Sequence, residues 1–222
     1  MGRPENPLAG PPYRRKLALH LRELRTAANV TYEQMASAAD ASAATFKRTA
    51  SGVITPKWGR IMEFCLAIRG AENPESRVPT RYFELHELWV LARMEQRGTL
   101  YLKQPRPEYI VDKADLSHAL YALYEHTGAP PLRDVQERAG GPEHLPLSTL
   151  ARIVLRQTLP ADTHQFLAFL RGCSVHERSI YEKWLKAWSK VVSEAEIATM
   201  DLTFSEKQKA VIEYMAEAAK FS

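Results

Sequence analysis

Residues 30–52, VTYEQMASAADASAATFKRTASG, constrain the fold more than any other stretch of the chain. Thr31 is placed to cap a short helix, because a threonine hydroxyl can accept a hydrogen bond from a backbone N–H of the first turn. Ser42 precedes a second short helix in the same way, and Phe46 is the apolar residue that this helix must bury. Gly52 can end the second helix, since glycine adopts the left-handed conformation that often follows one. The stretch therefore predicts two short helices joined by a tight turn.

The same stretch resembles the helix-turn-helix proteins of the phage Cro/repressor family, also called the xenobiotic-response-element (XRE) family, whose pattern is roughly hTxxxhAxxxxhSxxxhxxxxxG. The residues in register with this pattern are Val30, Thr31, Met35, Ala36, Ala41, Ser42, Phe46 and Gly52. Two positions depart from it. Asp40 replaces the glycine of the turn, where aspartate tolerates a left-handed backbone, and Ala50 replaces a usually acidic residue. The resemblance implies that the second helix enters a DNA major groove.

A weaker copy of this unit recurs about 100 residues later. The aligned pairs are Leu24 with Leu123, Met35 with Val135, Ala39 with Ala139, Thr45 with Thr149, Phe46 with Leu150, and Arg48 with Arg152. Farther on, FCLAIRG at 64–70 matches FLAFLRG at 166–172, and Glu87 and Trp89 match Glu182 and Trp184. The order of the matches is preserved, which predicts a tandem duplication with a longer turn in the second copy.

The second copy is also similar to an actinobacterial variety of the same family. Residues 145–160, LPLSTLARIVLRQTLP, stand where that variety has a serine-capped recognition helix ending in glycine. Pro146 replaces the capping serine, Arg156 replaces the glycine, and Pro130 and Pro131 open the preceding helix. Proline is tolerated there, because the first N–H groups of a helix have no intrahelical partner.

Apolar residues spaced three and four apart dominate the chain, and no sustained alternation indicates a strand. We therefore predict an all-α fold. The resemblance and the repeat imply two five-helix, lambda-repressor-like units, and a C-terminal helix is predicted after them. The residues expected to form apolar helix faces are Leu17, Leu21 and Leu24; Ile61, Phe64, Cys65 and Ile68; and Phe83, Leu85, Leu88 and Leu91. Trp89, Trp184 and Trp188 are expected to pack in the cores, although aromatic residues could also line a small-molecule pocket.

The predicted organisation has five segments. They are a disordered arm at 1–12, a first helix-turn-helix domain at 13–97, a connector at 98–112 whose Tyr and Ile pack locally, a second helix-turn-helix domain at 113–192, and a helical extension at 193–222. Helices are expected near 13–28, 32–39, 43–50, 57–68, 80–96, 113–126, 132–139, 147–155, 162–171, 176–192 and 204–220.

The resemblance assigns candidate DNA contacts to both units. The base-reading candidates are Ala43, Ala44, Thr45, Lys47 and Arg48 in the first unit, and Leu147, Ser148, Ala151 and Arg152 in the second. The phosphate candidates are Arg14, Arg15, Lys16, Thr31, Tyr32, Ser51, Lys57, Trp58, Arg133 and Arg156. Residues 1–100 hold 15 Lys and Arg against 10 Asp and Glu, whereas residues 101–175 hold 8 of each, so the first unit suits phosphates better.

The interpretation that follows is a bacterial, cytoplasmic and nucleoid-associated transcriptional regulator that binds double-stranded DNA sequence-specifically through two fused helix-turn-helix units. One alternative is a helical protein-interaction or antitoxin-like module, which Ala43, Ala44 and an exposed Leu147 on the would-be reading faces keep open. The other is a sequence-tolerant, nucleoid-type DNA binder. A homodimer or a protein partner could use the second unit or the C-terminal helix.

Catalytic, cofactor and metal sites are not expected. The histidines lack ligand spacing, and the chain has neither a Gly-rich phosphate loop nor a nucleophile arrangement. Cys65 and Cys173 are predicted to be reduced and packed, because free cysteine is among the most buried residue types. No apolar stretch approaches the length of a membrane span, so no membrane association is expected.

Overall fold

The computed structural model describes residues 7–71 and 82–192. Within them, all regular structure is helical, as predicted, and no strand occurs. The α-helices are α1 (Pro12–Ala27), α2 (Tyr32–Ser37), α3 (Ala43–Thr49), α4 (Trp58–Ala71), α5 (Tyr82–Arg97), α6 (Lys113–His126), α7 (Leu132–Arg138), α8 (Leu147–Val154), α9 (Thr163–Gly172) and α10 (Arg178–Val191). Each lies where the sequence predicts a helix, and the largest shift is at the end of α4, expected near residue 68 and found at Ala71.

Two predicted features fall outside the described residues, namely the helix near 204–220 and residues 1–6 of the N-terminal arm. Among the helices that the model describes, none is both long and apolar enough to cross a membrane.

The chain divides into two compact units between Leu102 and Lys103. The predicted connector is therefore shared between them. Leu102 is buried at the end of the first unit, whereas Ile110, next to a single 3-10 turn at Pro107–Tyr109, belongs to the core of the second. Ile110 packs as predicted, but Tyr101 and Tyr109 are 75% and 69% exposed, so the prediction that the tyrosines pack is wrong.

The prediction of a disordered arm is wrong for residues 7–12. The N–H of Ala9 donates a hydrogen bond to the carbonyl oxygen of Ser51 at 3.2 Å. Gly10 and Gly52 meet backbone to backbone, because a Cβ atom on Gly10 would lie only 2.4 Å from the carbonyl oxygen of Gly52. The segment before α1 is thus held against the turn that follows α3.

The first unit closes by packing α1 along α5. Two prolines start α1 without a side-chain cap, and the carboxylate of Glu95 on α5 takes that role. It accepts hydrogen bonds from the N–H groups of Tyr13, at 3.1 Å, and Arg14, at 3.2 Å. A negative charge at this position also suits the helix dipole, whose N-terminal end is positive.

The apolar faces of the first unit follow the predicted spacing except at the start of α5. All four residues expected on α4 are buried. On α5, Leu85 and Trp89 are buried, and the indole N–H of Trp89 donates to the carbonyl oxygen of Pro56 at 2.9 Å. Phe83 is 76% exposed, so its predicted place on this face is wrong. α5 buries Leu85, Trp89, Val90, Ala92 and Met94. Position 83 shares its side of the helix with Val90 and Met94, but it lies in the first turn, seven residues before Val90.

The second unit has a core built from α6 to α10. Trp184 and Trp188 of α10 are almost completely buried, as predicted for core residues. Phe166 of α9 stacks on Trp188, with ring centroids 4.6 Å apart and planes 19° from parallel. The indole N–H of Trp188 donates to the hydroxyl of Thr163 at 3.0 Å, so this buried donor is satisfied.

Both cysteines are buried and unpaired, as predicted. Burial raises the pKa of Cys65 to about 11 and that of Cys173 to about 12. Because the thiolate is the reactive form, both thiols are poor nucleophiles near neutral pH.

Gly172 marks the closest crossing in the second unit, where α9 passes α7. A Cβ atom on Gly172 would lie 2.7 Å from both Cγ1 and the carbonyl oxygen of Val135, and 3.4 Å from Cβ of Ala139. The first unit has a looser version, in which a Cβ atom on Gly70 would lie 3.2 Å from Cβ of Ala38.

We predict that Gly172→Ala destabilises the second unit by about 1–3 kcal/mol, because the added methyl group overpacks against a backbone oxygen that cannot rotate away. Gly59→Ala is the matched control, since nothing lies within 4 Å of its Cβ position in α4. The control should be neutral or stabilising by up to about 1 kcal/mol, the helix-propensity difference between the two residues. Urea unfolding followed by circular dichroism measures both, and an equal response of the two variants would contradict the crossing.

Candidate nucleic-acid interface

The helix α2 begins with the cap that the sequence predicts. The side-chain oxygen of Thr31 accepts a hydrogen bond from the N–H of Gln34 at 3.1 Å, and the side chain of Gln34 accepts one from the N–H of Thr31 at 2.8 Å. These reciprocal bonds form a capping box, which satisfies two backbone donors at the helix start. Met35 anchors the other face of α2, where it is fully buried.

The helix α3 also begins as predicted. The hydroxyl of Ser42 accepts a hydrogen bond from the N–H of Thr45 at 3.2 Å. Phe46 is fully buried, and its ring meets the ring of Phe64 on α4 edge to face, with centroids 5.8 Å apart. One buried aromatic residue thus fixes a seven-residue helix to the core.

The predicted left-handed conformation of Asp40 is wrong, because no residue between α2 and α3 has a positive φ. The left-handed residue of this region is Asn29, which lies between α1 and α2 and has a φ of 54°. It ends α1 by allowing the N–H of Val30 to bond to the carbonyl oxygen of Arg25 at 3.2 Å. The turn itself closes without such a residue, and so glycine is not needed there.

The predicted base-reading face of α3 lies on the surface. Ala44, Lys47 and Arg48 are exposed, while Ala43 and Thr45 are half-buried. Within the residues that the model describes, the guanidinium of Arg48 makes no hydrogen bond or ion pair, so it is available to a ligand. The exposed surface of α3 therefore carries a small apolar side chain near its start and basic side chains toward its end.

A contact that the sequence did not predict joins this face to α2. The ammonium of Lys47 lies 3.0 Å from a carboxylate oxygen of Glu33, and 5.8 Å from the ring centroid of Tyr32. The hydrogen bond from Lys47 is the largest cause that lowers the pKa of Glu33, so the carboxylate stays ionised down to lower pH than usual. Only the crossing of α2 and α3 brings these residues together, since 14 positions separate them. One acidic side chain thus lies beside the basic face.

Two arginines of α1 support α3 and α2, and sequence reasoning missed both. The Nε–H of Arg22 donates to the carbonyl oxygen of Ala50 at 2.8 Å, which places a positive charge at the C-terminal end of α3. Arg25 donates to the carbonyl oxygen of Val30 at 2.9 Å, and its guanidinium lies 4.6 Å from the ring centroid of Tyr32. Basic residues on α1 were a visible signal, but their targets depend on how the helices cross.

The phosphate candidates that flank α3 differ in exposure. Lys57 is exposed, and Thr31 is exposed at the start of α2. Ser51 is half-buried and donates its hydroxyl to the carbonyl oxygen of Arg48 at 2.7 Å. Tyr32, at the first position of α2, is only 5% exposed.

The remaining candidates of the first unit lie at the start of α4 and at the start of α1. Trp58 is half-buried, with its ring against that of His86 at a centroid distance of 4.8 Å. Arg15 and Lys16 are exposed. Arg14 is half-buried, and its guanidinium packs close to Gly10.

In the second unit, Pro131 and Pro146 occupy the N-cap positions of α7 and α8, and so neither helix has a side-chain cap. The turn between them uses Gly140 and Gly141, with φ of 104° and 108°. After α8, Arg156 has a φ of 59°, the left-handed conformation that usually takes glycine.

The predicted reading face of α8 is only partly on the surface. Ser148 and Arg152 are exposed, but Leu147 and Ala151 are half-buried. The expectation of an exposed Leu147 is therefore wrong, and the exposed leucine is Leu155, at 66%. The phosphate candidates Arg133 and Arg156 are exposed, and a guanidinium nitrogen of Arg156 lies 3.3 Å from Nδ1 of His118.

A comparison with protein families locates the decisive similarity in the first unit. A family model described as a helix-turn-helix domain matches residues 16–72. Residues 16–72 form a helix-turn-helix domain. The match runs from the first turns of α1 past the end of α4, so it contains both caps and the exposed face of α3. No curated protein and no solved structure matches the chain.

Helix-turn-helix domains such as the one matched at 16–72 are typically DNA-binding and non-enzymatic. In the described ranges, no group of three histidine, cysteine or carboxylate side chains is arranged to hold a metal ion.

We predict that Glu33→Gln tightens DNA binding by the helix-turn-helix domain about three- to tenfold at low salt. The change removes a negative charge beside the phosphates and releases Lys47, so the slope of log K against log salt should steepen by about one. Fluorescence anisotropy on a fixed duplex measures both quantities. The matched control is Glu182→Gln, which breaks an equally exposed ion pair with Arg178 on α10. Weaker binding by Glu33→Gln would show that the pair orients Lys47 rather than restrains it.

Proposed function

We propose that this protein is a transcriptional regulator that binds double-stranded DNA sequence-specifically, with α3 in the major groove. The observation that carries the proposal is the exposed basic face of α3 inside the matched domain at 16–72. Helix-turn-helix domains of this kind place the second helix against base edges and use neighbouring groups on the backbone.

The side chains divide into base and phosphate contacts under this proposal. Arg48 is the base contact, because a guanidinium can donate two hydrogen bonds to O6 and N7 of guanine. Ala43 and Ala44 contact thymine methyl groups at most, since their side chains have no donor or acceptor. Lys57 contacts phosphate, and the excess of basic residues in the first hundred positions favours the same surface.

We further propose that the second unit is a diverged copy of the first. Left-handed residues end corresponding helices at Asn29 and Gly128, and again at Gly52 and Arg156. The segments FCLAIRG and FLAFLRG end in Gly70 and Gly172. Each glycine lies where its helix passes closest to the second helix of its unit, near Ala38 and Val135. These matches concern backbone geometry, and so they support the duplication independently of side-chain identity.

A second candidate role for the copy is a protein contact, as in an interaction or antitoxin-like module. The observation that favours it is Leu155, which is 66% exposed at the end of α8, where the first unit has the polar Ser51. A homodimer or another protein could cover such a residue. Under the main proposal the protein acts in the bacterial cytoplasm, at the nucleoid; sequence-tolerant binding to phosphates is the third possibility.

The first test is binding to duplex DNA over a range of salt concentrations. If about five phosphates are neutralised, log K should fall with a slope near −4 to −5 against log salt. Gel-shift or anisotropy titrations on genomic fragments measure this slope. If no fragment binds at about 50 mM salt, the interaction-module alternative replaces the proposal.

The second test separates a regulator from a sequence-tolerant binder. Arg48→Ala should cost about 1–3 kcal/mol on the preferred site and flatten the preference at one base pair. Lys57→Ala is the matched charge removal and should weaken all sequences alike. Affinities on preferred and random duplexes decide it, since equal losses for Arg48→Ala would remove its base-reading role.

The third test concerns the second unit. Two recognition helices that act together must meet grooves one helical turn apart, roughly 34 Å or about 10 base pairs. Footprinting should then show two protected segments, and Arg152→Ala should remove one of them. Arg178→Ala, an exposed arginine on α10, serves as the control and should leave both segments. A single segment that Arg152→Ala does not alter assigns the second unit to protein contacts.

A further inference from the structure

The polar side chains of α3 are engaged within the protein, with one exception. The hydroxyl of Thr45 lies 3.0 Å from the capping hydroxyl that precedes the helix. Thr49 is buried and donates its hydroxyl to the carbonyl oxygen of Thr45 at 3.0 Å. The ammonium of Lys47 lies 3.0 Å from a carboxylate oxygen of Glu33. Among the polar side chains of α3, Arg48 is therefore the one that has no such partner within the described residues.

Ala44 lies on the same exposed side of α3 as Arg48. Four positions separate the two residues, and side chains at this spacing lie about 5–6 Å apart on one face of a helix. Both are exposed, whereas Phe46 is fully buried and fixes which side of the helix faces outward. The outer side of α3 thus offers one guanidinium beside one methyl group.

These two groups match two neighbouring features of the DNA major groove. A guanidinium donates hydrogen bonds to O6 and N7 of guanine, and an alanine methyl group packs on the 5-methyl group of thymine. Successive bases of a strand are about 3.4 Å apart, so the spacing of the two side chains corresponds to roughly one or two base pairs. A pyrimidine that directly precedes the guanine on the same strand carries its 5-methyl group beside N7 of that guanine. Both groups then lie within reach of one turn of α3.

We infer that Ala44 and Arg48 together recognise the 5-methyl group of a pyrimidine that directly precedes the guanine bound by Arg48. The inference rests on the proposed binding of α3 in the major groove, and it adds the chemical group that the second contact recognises. Thymine carries this methyl group in unmodified DNA, and 5-methylcytosine carries it at the same position. The preferred step is therefore TpG, and a CpG step gains affinity when its cytosine is methylated.

The second unit has a different group at the corresponding place. Ser148 is aligned with Ala44, and it is exposed. A hydroxyl that packs on a methyl group loses water without gaining a hydrogen bond, which is unfavourable. Under the proposed duplication, recognition of the methyl group belongs to α3 alone.

Changes of single groups in the DNA test the inference by fluorescence anisotropy with the full chain. The preferred duplex is first selected from a randomised library. The thymine that precedes the guanine bound by Arg48 is then replaced by deoxyuridine, which lacks only the methyl group. Binding should weaken about three- to fivefold, as expected when one methyl-sized group is no longer removed from water.

A second pair of duplexes carries CpG in place of TpG, with cytosine or with 5-methylcytosine. Methylation should strengthen binding by a similar factor, because it adds the same group at the same place. The two pairs of duplexes thus distinguish thymine from methylated cytosine as the source of the methyl group.

One variant and a matched control locate the contact on the protein. Ala44→Gly removes the methyl group of the side chain, so it should abolish both differences between duplexes. Ala114→Gly is the control, since Ala114 is also an exposed alanine at the second position of its helix, α6, and lies outside the matched domain. It carries a similar cost in helix propensity and should leave both differences intact. Thermal unfolding verifies that each variant is folded.

The inference is overturned if deoxyuridine and 5-methylcytosine leave the affinity unchanged while Arg48→Ala still flattens the preference for guanine. The proposed DNA binding would then stand without recognition of the methyl group. The inference is also overturned if Ala44→Gly keeps both differences, because the methyl group would then be recognised elsewhere. If no duplex binds at about 50 mM salt, the proposed function itself fails, and the inference fails with it.

Discussion

The burial of Phe46 determines which face of α3 is exposed, and therefore where the base-reading candidates of the first unit lie. A helix of seven residues cannot hold its shape alone in water, because nucleation is too costly for so few hydrogen bonds. The contact of Phe46 with Phe64, the cap at Ser42 and the hydrogen bond from Arg22 to Ala50 therefore stabilise α3 from one side, its start and its end. The exposed face is what remains once those three contacts are made.

Electrostatics modify that face in a way that its composition does not suggest. Lys47 is shared with Glu33, so the charge that α3 presents to a polyanion is smaller than its two basic residues imply. Exposed ion pairs contribute little to stability, and the pair is better understood as a tuning element for binding. No acidic side chain pairs with Arg48 among the described residues, so Arg48 is the cationic group of α3 that is open to a polyanion.

Caps, helix positions and most buried faces could be predicted because they depend on neighbours within one or two turns. Thr31 and Ser42 are examples, since each caps a backbone N–H only three residues away, and the buried face of α4 follows from the period of a single helix. The predictions that failed concern contacts between different helices. The exposure of Phe83 and the pairing of Lys47 with Glu33 depend on how helices cross, which no local pattern contains.

The candidate site was predicted less completely than the fold for the same reason. The exposed face of α3 follows from helical periodicity once Phe46 is buried. Other contacts depend on which surfaces the other helices cover, and a local pattern does not show this. They are the support of α3 and α2 by arginines of α1, and the exposure of Leu155 where Leu147 was expected to be exposed. The conformation of Asp40 was missed because several turn geometries can join helices of this length.

The contact between Gly10 and Gly52 links the evolution of two distant positions. Neither glycine can gain a side chain while the two backbone segments remain in contact. A Cβ atom on Gly10 would lie 2.4 Å from the carbonyl oxygen of Gly52, and one on Gly52 would lie 2.3 Å from the carbonyl oxygen of Ala9. In the second unit, the 3-10 turn that precedes α6 packs on α10, and an arginine occupies the aligned position. Under the proposed duplication, the chain that precedes the second unit takes a different route, and position 156 carries a side chain where the first unit has none.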